Sequence, residues 1–251
     1  MEKNYPSYDS ATMSDLRKIV LPEFWEETTA ETVYKLFENS SLLKYRCPQT
    51  NRSALNNAIL FDAKASVVKA LLELGHALEV HSDRTRDTPL AQAAFRSSYE
   101  IVELLLDYGA NVHSINRDMQ TPLLHAVIGN SFKVIKLLVE RGSEVNIHDK
   151  WSGNPLQFCI DRPNGIKIAK FLLSHGADVN FRGRKGKTAL IESVQKFPDY
   201  STTELLLEAG AETDTEDDEG KTAYEYAIEN GCRNERLMEA LKPRRFKTDL
   251  P

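Results

Sequence analysis

The sequence predicts an all-α fold, a solenoid of helix–turn–helix units with β-hairpin-like tips. Three observations predict it. A short marker recurs as Ser53-Ala54-Leu55, Thr88-Pro89-Leu90, Thr121-Pro122-Leu123, Asn154-Pro155-Leu156, Thr188-Ala189-Leu190 and Thr222-Ala223-Tyr224, at spacings of 35, 33, 33, 34 and 34 residues. A glycine recurs at positions 75, 109, 142, 176 and 210, spaced by 34, 33, 34 and 34. Between the markers lie apolar stretches such as Ile101-Val102 with Leu104-Leu105-Leu106, and Val134-Ile135 with Leu137-Leu138-Val139. Their i, i+3, i+4 spacing is that of an amphipathic helix. A fixed period of this length signals stacked units, none of which buries its apolar face alone.

Each element has a local cause. Ser, Thr or Asn caps a short helix, and Pro or Ala follows at the first helical position, where a missing N–H costs least. The longer helix ends at the periodic glycine, which takes the left-handed conformation of a helix C-terminus. Polar, turn-rich residues such as Asn146-Ile147-His148-Asp149-Lys150 follow. Where Gly186 and Gly220 stand in the last two tips, earlier copies hold Arg86, Met119 and Ser152, so those tips are expected to differ in shape. Glu31 to Phe37 has helical spacing and reads as a cap, with Phe24 and Trp25 packing on it. The expected divisions are a partly disordered N-terminal extension at 1–28, in which 16–21 docks, a capping half-repeat at 29–52, six repeats at 53–242 and a tail at 243–251.

The segments TPLAQAA from Thr88, TPLLHAV from Thr121, LLDYGANV and LLSHGADVN resemble the ankyrin repeat, across about residues 53 to 242. That resemblance implies a protein–protein interaction module, an adaptor, scaffold or inhibitor, gripping a partner on a concave face made by the tips and short helices. Asn146 and Asn180, in GSEVN and GADVN with Leu138 and Leu172 upstream, resemble ankyrin sites used by an asparaginyl hydroxylase.

Catalytic strings are missing from the sequence. Gly186-Lys187-Thr188 looks like the end of a phosphate-binding loop, but that loop needs a glycine five residues earlier, and Phe181 stands there; the second GKT has Thr215. No hydrolase, metalloprotease or kinase string occurs. The three cysteines are far apart and suit neither a disulfide framework nor a zinc site. His76 and His175 border helix-ending glycines, where a hydrogen bond or cation serves the terminal carbonyls, and His125 reads as a packing residue. The reading is therefore no enzyme, no cofactor and no metal. A net charge of -5 gives no reason for direct nucleic-acid binding. No apolar run approaches the roughly 18 residues of a membrane helix. The chain is read as a reducing-compartment monomer, cytoplasmic and also nuclear.

Surface candidates follow from the repeat register. Trp151 stands at a tip beside Lys150, and tryptophan is enriched at interface hot spots. Arg84, Arg117, Arg184, Lys185 and Lys187 form a basic tip set. Phe95, Arg96 and Ile128, with Phe61, and Asp161 with Arg162, lie at short-helix ends. The tip after Lys187 is acidic, from Glu212 to Glu219. Either the two tips pair with each other, or the basic set attracts an acidic or amphipathic segment of a partner. Two alternatives are a nuclear regulator of transcription factors, suggested by the basic run at 242–247, and a ubiquitin-ligase substrate receptor, for which the ten residues after Leu241 are too few to form a recruitment box.

Overall fold

The computed structural model describes residues 19, 22–37, 46–47, 51–79, 81, 85–196 and 200–243. Arg84, most of 1–21 and the basic run from Arg244 lie outside them. The described residues form fourteen α-helices and no strand, and the chain divides into two units, 1–117 and 118–251.

In the first unit the helices are α1 (Pro22–Glu27), α2 (Ala30–Phe37), α3 (Ala54–Leu60), α4 (Ala65–Glu73), α5 (Pro89–Phe95) and α6 (Tyr99–Asp107). They pack in two rows: α1 on α3 and α3 on α5; α2 on α4 and α4 on α6. Trp25 of α1 is fully buried, and its indole N–H donates to the Ile19 carbonyl at 3.0 Å. In the second unit they are α7 (Pro122–Ile128), α8 (Phe132–Glu140), α9 (Pro155–Cys159), α10 (Gly165–Ser174), α11 (Ala189–Lys196), α12 (Ser201–Glu208), α13 (Ala223–Glu229) and α14 (Glu235–Leu241). Here α7, α9, α11 and α13 form the short-helix row, and α8, α10 and α12 the other.

The predicted caps are all made. Ser53, Thr88, Thr121, Asn154, Thr188 and Thr222 each accept a hydrogen bond from the backbone N–H three residues on. A small residue, Ala58, Ala93, Ala126, Cys159, Ser193 or Ala227, is buried at the matching place in each capped short helix. Burial pushes the Cys159 thiol up to about 12, which leaves it an unreactive packing residue. The longer helices bury Val67-Val68, Ile101-Val102, Val134-Ile135 and Ile168-Ala169 at matching places. In α12 that pair is Thr202-Thr203.

Two sequence-based readings are corrected. The tips with Arg86, Met119 and Ser152 do not differ in this respect: their φ values of 61, 59 and 65 match the 74 of Gly220. The tip geometry forces the left-handed conformation on whichever residue is present. His76 does not serve helix-end carbonyls. It is buried, its ring meets Phe37 edge-on at 5.1 Å, and neither nitrogen has a hydrogen-bond partner among the described residues. His175 does behave as read: its Nδ1 donates to the Phe171 carbonyl at 2.8 Å.

Two predictions follow from these contacts. Asn154 both accepts from and is bonded back by Gln157, so Asn154→Ala should cost about 1–2 kcal/mol in urea unfolding. Burial lowers the His76 pKa from 6.5 to about 4. The unfolded chain then binds the extra proton between those values, so stability falls as pH drops from 6.5 to 4, by up to about 3 kcal/mol. Urea unfolding of His76→Leu across that window should lose this part of the pH dependence.

Candidate functional site

The tips are built by a recurring carboxylate. At 149–153, buried Asp149 accepts from the backbone N–H groups of Trp151 and Gly153, both at 2.9 Å. At 217–221, Asp217 accepts from Glu219 and Lys221 at 2.9 and 3.1 Å, and from the Tyr226 hydroxyl at 2.7 Å. Burial pushes the Asp217 carboxyl up, but those hydrogen bonds and the Lys187 charge outweigh it and hold the pKa below its usual value. Burial, then the Asp217 bond, raises that of Tyr226.

Between these two tips the pattern breaks. Position 183 is a glycine with no carboxylate to brace the turn. The Gln157 amide fills the space a Cβ would take, and donates to the Lys187 carbonyl at 2.8 Å. The chain makes a short 3-10 turn, Arg184–Gly186, with Lys185 also left-handed. Backbone hydrogen bonds link tip to tip on either side: Lys150 N–H to Asp118 and Asp218 N–H to Lys185, at 2.9 and 3.0 Å. Among the described residues none joins 149–153 to 183–187.

A cleft of about 370 Å³ lies where that ladder is interrupted. Trp151 and Phe158 supply its apolar wall, and Gln157, Arg162, Arg184 and Glu192 its polar one. Trp151 is 48% exposed. Lys150 pairs with Asp118 and sits 4.3 Å above the Trp151 ring, which fixes that side chain in place. The Arg184 side chain has no hydrogen bond or ion pair among the described residues.

The structure thus brings Trp151, Lys150 and Arg184 together. Lys185 is exposed at the same tip. Lys187 turns away: its ammonium donates to Gln195 at 2.6 Å and lies 4.9 Å from the Tyr226 ring. Ile128, half-buried at the end of α7, does not line the cleft. Arg117, Phe95 and Arg96 belong to the first unit. Phe95 is 51% exposed, and Arg96 is taken up by a two-pronged pair with Asp62. Asn146 and Asn180, the hydroxylation candidates, each brace the next turn: their Oδ1 atoms accept from Asp178 and Glu212 N–H, both at 2.8 Å. Sequence reasoning missed Asp149, Gln157, Phe158 and Glu192. Asp149 was discoverable, since it and Asp217 sit at the same place in the period.

The tip geometry predicts an asymmetry between its two glycines. A Cβ on Gly186 would collide with the Asp218 carboxylate, whereas one on Gly220 meets open space. Gly220→Ala should cost about 1 kcal/mol of left-handed strain, and Gly186→Ala clearly more, by thermal or urea unfolding.

The sequence matches the family model for ankyrin repeats in three overlapping copies, at residues 26–116, 109–183 and 156–244. No curated protein matches it. The capped short helices, the glycine-ended longer ones and this match agree: the chain belongs to the ankyrin-repeat family.

Proposed function

We propose that this protein is a non-enzymatic adaptor, scaffold or inhibitor that takes an acidic or amphipathic segment of a partner protein at the Trp151 cleft. Ankyrin repeats are protein–protein interaction modules and are typically not catalytic. The observation that carries the reading is Trp151, held in place beside Arg184, which has no pair among the described residues, where the tip ladder is interrupted. The tryptophan gives a rigid apolar contact, and Arg184 with Lys185 gives charge of one sign beside it. Among the described residues no helix is long and apolar enough to cross a membrane. The protein acts as a monomer in the cytoplasm and also enters the nucleus.

Affinity purification of the full chain from cell extract, followed by binding measurements on the partners found, tests this. Trp151→Ala should cost a true partner about 2 kcal/mol, roughly thirtyfold in Kd. Lys185→Glu should weaken it further, most at low salt. Partners that bind both variants as they bind the wild type would place the interface elsewhere.

A further inference from the structure

The tip ladder is regular enough to say what its gap lacks. Each donor stands four residues before a short-helix cap, and each acceptor three residues before the cap of the preceding copy. Arg117 N–H meets the Thr85 carbonyl at 2.9 Å, Lys150 N–H the Asp118 carbonyl at 2.9 Å, and Asp218 N–H the Lys185 carbonyl at 3.0 Å. By the same register the missing rung is Arg184 N–H to the Trp151 carbonyl. Arg184 opens the 3-10 turn instead. Neither of those two backbone groups has a hydrogen bond among the described residues. Both residues are exposed, and both line the Trp151 cleft. The gap therefore holds one main-chain donor and one main-chain acceptor, which water satisfies until another chain does.

The side chains around the gap restrict what fits it. Trp151, steadied by Lys150, and Phe158 offer an apolar wall. The charges largely answer one another. Asp149 is committed to its own turn, and Asp161 lies 3.5 Å from Arg162 Nε. Glu192 is a third carboxylate in the lining, so a densely acidic ligand is disfavoured. Arg184 is the cation without a pair among the described residues, which suits one carboxylate. Main-chain recognition also needs an extended ligand. A helix bonds its backbone to itself and would leave the rung unfilled. In an extended segment residues two apart share a face, so one face can offer an apolar side chain to Trp151 and a carboxylate to Arg184.

Taking the Trp151 cleft as the partner site, as proposed above, we propose that the segment bound there is extended and supplies the missing rung with its own main chain. Its carbonyl accepts from Arg184 N–H, and its N–H donates to the Trp151 carbonyl. An apolar side chain covers the Trp151 ring, and an aspartate or glutamate two residues away pairs with Arg184. Extended peptides join exposed backbone edges in this way, the main chain giving affinity and alternate side chains giving specificity.

The test selects peptides from a random twelve-residue displayed library on the full chain and measures Kd for each enriched peptide, made synthetically. Peptides weakened about thirtyfold by Trp151→Ala report on the cleft. These are expected to carry an apolar residue two places from Asp or Glu. Replacing one backbone amide by an ester, which has no N–H, should weaken them about fivefold at a single position and not at its neighbours. Arg184→Gln, a change at an exposed side chain, should weaken them about tenfold. In NMR spectra of the isotope-labelled chain the Arg184 amide should move downfield and exchange more slowly with solvent when they bind. Trp151-dependent peptides with no ester-sensitive amide and an unmoved Arg184 signal overturn the main-chain rung and leave the cleft as the partner site. A library that yields no Trp151-dependent peptide also overturns the rung, and the cleft is then judged by the partner proteins captured from extract alone.

Discussion

Each helix pair of this protein exposes an apolar face that only a neighbouring pair can cover. Leu55, Leu90, Leu123, Leu156 and Leu190 are all buried by this means, and no pair has enough interior to do it alone. The constraint sets the phase of everything else. A helix beginning one residue early would turn its stripe away from its neighbour, so the start of every short helix is fixed by a side-chain cap. The caps are themselves buried, where the backbone N–H they satisfy has no access to water. The tips then follow, because a chain that must enter each short helix at one place must also turn at one place before it.

Regularity of this kind makes departures informative. The stretch from Trp151 to Thr202 contains four: a glycine for the bracing carboxylate at 183, an interrupted tip ladder, a five-residue α9, and threonine for valine or isoleucine at 202. The first two remove contacts that other tips make, and they border the Trp151 cleft. Stability in a stacked array comes from nearest-neighbour interfaces, so a unit with sound interfaces tolerates such losses locally. Here α9 still packs on α7 and α11, and α12 on α10 and α11.

The period, the caps and the helix-ending glycines were legible in the sequence because each depends on residue type at a fixed offset. The left-handed turns at Asp62, Ser97 and Asn130 were not: Asp and Asn favour that conformation only as a weak bias, and serine gives no such signal. Trp151 was legible as an apolar residue at a polar tip. The fate of the cations beside it was not. Lys150, Lys187 and Arg96 looked alike as exposed charges, yet each is held: Lys150 by Asp118, Lys187 by Gln195 and Tyr226, Arg96 by Asp62. Long flexible stems reach partners from eight residues to about one period away, and sequence spacing does not say which way they swing. His76 failed as a reading for a related reason: its place after a glycine suggested a helix-end role, but Phe37, thirty-nine residues earlier, decides its surroundings.

The same distinction bears on how charge works at the basic tip. Of Arg184, Lys185 and Lys187, the last is tied to α11 and α13, and its charge helps hold Asp217 ionised in the acidic tip. That contact belongs to the fold, and a partner would have to break it to use the lysine. Among the described residues Arg184 and Lys185 carry no such duty: one lines the cleft without a pair, and the other contributes to the ladder through its backbone carbonyl. The basic set read from the sequence therefore divides into one cation that steadies the tips and two whose side chains take no part in them among the described residues. An exposed cation already committed to a neighbour adds little to recognition, because releasing it costs what the new contact returns. Under the proposed function, selectivity would rest on the direction of two side chains and one tryptophan, not on the number of basic residues nearby.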